Sequence, residues 1–309
     1  MKVLVSGAMA YDRILNFEGA FKDSILPDKI HALNISFFAP EMRESFGGTA
    51  GNIAYSLALL GETPILLSNV GSDFSEYDAW LKENAIPLST LARDTGVKTA
   101  VATILTDRHN NQLAAFYPGP MTKPYPLEIP DGDFAIVTAG NPEDVRDMPA
   151  KFKARNIRYM FDPAQTIPVL SGEDIKNGIM GAEIVISNDY ELSLIKEKTG
   201  WNESDILANA KVLVTTFGEK GSRIQTKEDM VEVPAAKAHD ASDPTGAGDA
   251  YRAGFIAAYT KGLPLKTAGQ LGAIVACYTV ETHGTQTHHF TFDELEKRYQ
   301  ENFNEPLPF

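Results

Sequence analysis

"SDPTGAGDAYRAGF", residues 242–255, crowds three glycines, a proline and two aspartates against the start of a helical pattern. Gly246 and Gly248 lack a Cβ and let neighbouring backbone N–H groups point together, and a helix beginning near Asp249 adds the positive end of its dipole. The stretch therefore reads as a predicted anion hole with a carboxylate on its rim. A carboxylate beside a bound phosphate is repelled unless it has a task, and accepting a proton from a hydroxyl that attacks phosphorus is such a task. The alternative is that Asp249 caps its helix while the glycines fill a tight turn.

Outward from that stretch the chain alternates. Apolar runs rich in β-formers recur at 2–7 ("KVLVSG"), 64–71 ("PILLSNVG"), 134–140 ("FAIVTAG"), 157–163 ("IRYMFDP"), 182–188 ("AEIVISN") and 211–218 ("KVLVTTFG"). Between most of them lie helical patterns such as "NIAYSLALLG", "SEYDAWLKENAI" and "DYELSLIKEKTG", apolar at i, i+3 and i+4. This order predicts an α/β fold with a central, mainly parallel sheet covered by helices on both faces. Residues 98–118 interrupt it with two strand-like runs around "DRHNN", a hairpin turn, and with "LNISFFAP" (33–40) they predict a small projecting β-sheet lid. Lid segments of about 13–45 and 96–120 within one domain spanning 1–309 are expected.

Composition narrows the function. The 309 residues are 43% hydrophobic, enough for a sizeable core. Cys277, the single cysteine, lies in the apolar run "LGAIVACYTV", so no intramolecular disulfide is possible. No apolar run approaches the ~18 residues of a spanning helix, and "MKVLVSGAMAYD" is unlike a signal peptide; a cytoplasmic protein with no membrane partner is expected. Lys plus Arg number 28 against 41 Asp plus Glu, a formal net charge of -13, with no basic stripe for a nucleic acid. An anionic ligand must then be held by backbone N–H groups, helix N-termini and a metal ion.

Three further clusters could carry chemistry. In "RESFGGTAGNIAYSLALLG" (43–61), Gly47 and Gly48 allow a ligand close to the backbone, and Asn52 offers a donor and an acceptor to a polyol hydroxyl; Thr49 or Asn52 could equally cap a helix. Asp12, just past the first strand, could accept hydrogen bonds from two neighbouring hydroxyls of a diol, or be an ordinary loop aspartate. In "SNDYE" (187–191), Asn188 and Glu191 could orient hydrated magnesium on phosphates, or form a capping box. Other chemistries fall away. "FGEKGS" lacks the order of a P-loop and no G-x-G-x-x-G follows the first strand. His288 and His289 are adjacent and find no third ligand at zinc spacing, and no G-x-S-x-G elbow exists.

Taken together and in order, the glycine pair with asparagine near residue 50, N-x-x-E near 190, "TTFGEKG" near 218 and "DPTGAGD" near 246 resemble the ribokinase-like (PfkB) sugar and nucleoside kinases over nearly the whole chain. "LPDKIHALNISFF", "GGTAGNIAY", "AFYPGPM", "SNDYE", "TGW" and "THGTQ" look closer still to bacterial adenosine kinases. The resemblance implies Asp249 as catalytic base and the backbone of Gly246, Ala247 and Gly248 as the hole for the transferring phosphoryl group. It implies Asp12, Gly48 and Asn52 on the ribose hydroxyls, and Phe116 and Gln165 at the nucleobase. Asn188 and Glu191 would serve the phosphates and magnesium, with Glu191 acting through water. ATP would lie along Thr216, Gly218 and Gly221, its adenine near His283 and Gly284. The expected activity is transfer of the γ-phosphate of ATP to the 5′-hydroxyl of a purine nucleoside, adenosine first. Free ribose or fructose as acceptor, and a nucleoside sensor that transfers nothing, are the rivals. The family often responds to potassium, and a lid edge could pair with a second subunit to form a homodimer.

Overall fold

The computed structural model describes residues 1–25, 34–109 and 111–308. Among the described residues the strands in chain order are β1 (Lys2–Ser6), β2 (Ala10–Phe17), β3 (Glu41–Gly47), β4 (Thr63–Leu67), β5 (Asn69–Val70), β6 (Ala92–Arg93), β7 (Ala100–Asp107), β8 (Gln112–Tyr117), β9 (Phe134–Val137), β10 (Tyr159–Phe161), β11 (Ile184–Asn188), β12 (Val212–Thr216), β13 (Ser222–Gln225) and β14 (Met230–Val233). The helices are α1 (Phe21–Ser24), α2 (Thr49–Leu59), α3 (Ser75–Glu83), α4 (Pro142–Ala154), α5 (Gly172–Ile179), α6 (Asp189–Thr199), α7 (Glu203–Asn209), α8 (Ala247–Thr260), α9 (Leu265–Val280) and α10 (Phe292–Phe303).

The main sheet has the order β14-β13-β12-β11-β10-β9-β1-β4. It is parallel from β4 to β12, and β13 and β14 add an antiparallel edge. Because successive side chains leave a strand on opposite faces, each continuous apolar run feeds two cores. Val3, Val5, Ile136, Met160, Ile184, Ile186 and Val214 pack on the side of α2, α8 and α9. Leu4, Val137, Phe161, Val185 and Leu213 pack on the side of α4 to α7. The edge hairpin β13–β14 escapes the apolar search because only one of its faces is buried. Helices α8 and α9 approach backbone to backbone: a Cβ on Gly254 would lie 2.8 Å from the Cα of Gly272.

The lid is a four-stranded sheet, β3-β2-β7-β8. Its register puts Asp12 beside Ser45 and Ala102, Ala102 beside Phe116, and Ile14 beside Arg43 and Ile104. Asp12, Ala102 and Phe116 therefore share one face, while Tyr11, Phe46 and Val101 share the other and join the core. The strand expected within 33–40 is not formed: Leu33 lies outside the described residues and 34–40 carry no strand. Phe37 packs there instead, 5.0 Å from Phe17 and 5.2 Å from Phe21 between ring centroids, while Phe38 is exposed, and Pro40 has no N–H for a ladder. The polar run of β3 takes the place in the sheet. The "LPDKIHALNISFF" segment falls partly outside the described residues, as does Asn110 of the hairpin turn; Asp107 secures that turn by accepting from the backbone N–H groups of His109 and Asn111.

Candidate active site

The glycine-rich stretch enters α8 with Gly246 at φ +79°, a left-handed conformation that glycine adopts without strain. No side chain caps this helix. Asp249, its third residue, accepts a 2.8 Å hydrogen bond from Asn52 Nδ2, so its carboxylate turns to α2 and away from capping. Of the backbone N–H groups expected to form the anion hole, that of Ala247 closes a turn on the Pro244 carbonyl at 3.2 Å. The structure brings Gly246, Ala247, Gly248, Asp249 and Asn52 together.

Behind Asp249 stands an ion pair that pattern reading does not pick out. Arg252, one turn further along α8, forks onto Asp162 just past β10, donates to the Gly248 carbonyl at 2.9 Å, and lies 4.0 Å from Glu191. Thr138 Oγ1 donates to the same Asp162 at 2.6 Å. Burial raises the Asp249 carboxyl to about 7; Arg252 and the Asn52 hydrogen bond oppose the rise, while Asp162 and Asp12 add to it. A carboxyl held near neutrality suits a proton acceptor.

Asp12 lies on β2 rather than in a loop, against Gly47, where any Cβ would overlap its carboxylate. Among the described residues no hydrogen bond reaches that carboxylate. Burial, with Asp243 nearby, raises it to about 6. Gly48 holds φ +84°, and a Cβ there would sit 2.5 Å from the Ala8 carbonyl oxygen, so the strand-to-helix turn admits only glycine. Phe116 is 55% exposed on the Asp12 face of the lid. Gln165 is exposed in the turn after β10, next to Ala164 at φ +40°.

Asn188 and Glu191 form the capping box of α6: the Asn188 side chain accepts from Glu191 N–H at 2.7 Å, and Glu191 accepts from Asn188 N–H at 2.9 Å. Asn188 pairs in register with Thr216 on β12, so both stand at the C-terminal end of the parallel strands. Gly218 has φ +58° and open space around it. Gly221 is different, because a Cβ there would press on the β14 end at Val233 and Ala235, which makes it a packing glycine. His283 is exposed, and Gly284 N–H donates to Asp243 at 3.2 Å, joining this turn to the signature loop. Among the described residues no group of three His, Cys, Asp or Glu could hold a metal ion. Glu191 keeps one carboxylate oxygen beyond its capping bond, a donor set that fits hydrated magnesium carried on phosphates rather than a caged ion.

Sequence reading missed Asp162, Arg252, Gln286 and Asp243. Asp162 had the same strand-end signal as Asp12, Asp243 and Arg252 lay in the opening stretch, and Gln286 closes "THGTQ" with no local mark of what it touches.

Residues 3–290 match the family described as pfkB family carbohydrate kinase. The chain belongs to the PfkB family. Within it, the nucleoside kinase of Methanocaldococcus jannaschii is 35% identical over 305 residues, 97% of each chain. The crystal structure of that enzyme, described as an archaeal member of the ribokinase family, superposes with a TM-score of 0.88 over 97% of this chain and 98% of its own, at 34% identity. The Burkholderia thailandensis nucleoside kinase in complex with inosine gives a TM-score of 0.88 at 32% identity, covering 98% and 99% of the two chains. The same protein has been solved in complex with ADP-inosine, with a TM-score of 0.87 at 34% identity over 98% and 97%. This PfkB member has the ribokinase-like fold, a large mostly parallel sheet with a small-sheet lid, and is a phosphotransferase with an alcohol acceptor. No helix among its described residues is long and apolar enough to cross a membrane.

Proposed function

We propose that the chain is an ATP-dependent nucleoside kinase that phosphorylates the 5′-hydroxyl of a purine nucleoside, adenosine first. The observation that carries this is Asp249: a carboxyl raised to about 7, oriented by Asn52, at the open N-terminus of α8. It takes the proton from the acceptor hydroxyl as oxygen attacks phosphorus, while the backbone of Gly246, Ala247 and Gly248 holds the phosphoryl oxygens. Asp12, whose carboxylate meets no hydrogen-bond partner among the described residues, accepts from the two ribose hydroxyls beside Gly48 and Asn52. The Asn52 amide also donates to Asp249 at 2.8 Å. Phe116 stacks on the purine, a contact worth ~1 to 3 kcal/mol, and Gln165 addresses the base edge. Thr216, Gly218, His283 and Gly284, with the backbone of Gly221, would line the ATP, and Asn188 and Glu191 would hold its hydrated magnesium through water. A magnesium ion held there would supply neutralisation of phosphate charge, which in-line transfer needs more than covalent chemistry. The names of the two relatives, both nucleoside kinases and one bound to inosine, support the acceptor class.

The lid's edge strand β8 has all six residues exposed, Leu113, Phe116 and Tyr117 among them, and pairing of two such edges would make a homodimer. A cytoplasmic location and stimulation by potassium complete the reading.

The test is magnesium-dependent phosphate transfer from ATP across adenosine, inosine, guanosine, cytidine, ribose and fructose, with Asp249→Asn beside the parent chain and with potassium present or absent. Adenosine is expected to lead, with turnover reduced ~10²- to 10⁴-fold in the variant and nucleoside binding retained. Preference for a free sugar would overturn the acceptor, unchanged turnover in the variant would overturn the base, and binding without transfer would make the chain a sensor.

A further inference from the structure

Asn52 could present either end of its amide to Asp249, and only one end helps a carboxylate. A buried chain of hydrogen bonds decides which. Trp80 Nε1–H, a group that can only donate, reaches Gln286 Oε1 at 3.1 Å. With its oxygen so engaged, Gln286 Nε2 donates to Asn52 Oδ1 at 3.1 Å and to the Tyr77 hydroxyl at 2.5 Å. The Tyr77 hydroxyl in turn donates to the Gly47 carbonyl at 2.9 Å, a group that can only accept. Both ends of the chain are thus fixed in polarity, and Asn52 has only its Nδ2 left for Asp249. Gln286 is 2% exposed, Asn52 5% and Tyr77 0%, so water does not compete for these bonds. Space for the junction exists because residue 51 is glycine: a Cβ there would overlap the Tyr77 hydroxyl and lie 2.9 Å from Gln286 Nε2.

The same loop grips the lid. Thr285 Oγ1 donates to the Phe46 carbonyl at 2.7 Å, and Gln286 reaches Gly47 through Tyr77, where lid strand β3 passes into α2. We infer that Gln286, oriented by Trp80, is a positioning residue that holds Asn52 as a donor to Asp249 and ties the lid hinge to the base. The inference rests on the reading of Asp249 as the proton acceptor. The donated bond steadies the ionised carboxylate and leaves its second oxygen open to the acceptor hydroxyl.

Gln286→Glu keeps the shape but puts an acceptor where Asn52 needs a donor, which favours rotation of the Asn52 amide and turns its oxygen to Asp249. Turnover is expected to fall about 10- to 100-fold with the nucleoside KM within about threefold. In an Asp249→Asn background the same substitution is expected to change turnover by less than about twofold, since its effect passes through the base. Gln286→Met and Trp80→Phe, which keep apolar bulk and lose the polar groups, serve if the glutamate does not fold. A second readout needs no substrate: NMR titration of the Asp249 carboxyl in the ligand-free protein. Arg252 on α8, Asp162 beyond β10, Asp12 on β2 and Glu191 on α6 are unchanged in these variants, and the Asp249 midpoint is expected to rise when Gln286 is replaced by methionine. An unmoved midpoint, or an equal loss of turnover in the Asp249→Asn background, overturns the inference. Should the parent chain transfer phosphate to no nucleoside, the functional reading fails while the titration still decides the relay.

Discussion

Arg252 forks onto Asp162, 90 residues away in sequence, with Nε to Oδ2 and Nη2 to Oδ1 both at 2.5 Å. Both side chains are almost fully buried, and the third arm of the guanidinium holds the Gly248 carbonyl, so the pair ties the first turn of α8 to the end of β10. Removing one partner of such a pair leaves an uncompensated buried charge. Arg252→Met is therefore expected to lower stability by about 3–5 kcal/mol, read from urea unfolding, and to raise the Asp249 carboxyl further. Arg252→Lys is expected to recover only part of the loss, because an ammonium cannot fork onto a carboxylate. A fully stable methionine variant would contradict the role given to this pair.

With Asp249 as the proposed proton acceptor, turnover is expected to follow its ionisation. Its carboxyl is raised to about 7, so the folded protein holds a proton there below neutrality and the base is lost as pH falls. kcat/KM is expected to rise up to about pH 7 and level off above it. Stability has the opposite sign. Between the ordinary aspartate value near 4 and the folded value the native state binds more protons than the unfolded one, so the contribution of Asp249 to stability declines as pH rises through that window. Thermal unfolding at pH 5 and pH 8, for the parent and for Asp249→Asn, checks this: the asparagine is expected to narrow the difference between the two pH values.

The ribose-binding role proposed for Asp12 predicts an effect on binding rather than on chemistry. With no hydrogen bond to that carboxylate among the described residues, a nucleoside lacking the 2′-hydroxyl is expected to leave a half-buried acceptor short of one bond. 2′-Deoxyadenosine is expected to be about 10- to 100-fold less efficient than adenosine, the equivalent of the ~1 to 3 kcal/mol of an unmade buried hydrogen bond. Comparing kcat/KM for the two nucleosides measures it, and equal efficiency would remove Asp12 from the ribose.

The adjacent glycines are expected to fail in different ways. Gly48→Ala forces φ +84° on a residue with a Cβ 2.5 Å from the Ala8 carbonyl oxygen, and should lose at least ~1 to 3 kcal/mol from backbone strain alone. Gly47→Ala instead presses on the Asp12 carboxylate, so its main effect should be a raised nucleoside KM. Melting temperature and steady-state kinetics on both variants distinguish the two outcomes.

The sheet was legible because β1, β9, β11 and β12 are continuous apolar runs whose burial on both faces leaves a local mark. The lid was partly legible: the strands flanking "DRHNN" were visible, whereas β3, "EMRESFG", is polar enough to hide and the apolar "SFFAP" drew attention instead. Gly246, Gly248 and Asp249 could be read from one stretch because a turn that needs glycine and a helix that follows it are local features.

Neighbouring residues were enough for the α/β alternation and the glycine turn before α8, since backbone conformation and two-residue or 3.6-residue periodicities are local, and the order of the short motifs was enough for the family resemblance. Tertiary structure alone decided what Asp249 touches. Asn52 lies 197 residues before it, and Gln286 another 234 residues from Asn52. A hydrogen bond between such residues depends on where α2, α8 and the loop before α10 come to rest against one sheet, and no local pattern in the chain records that meeting.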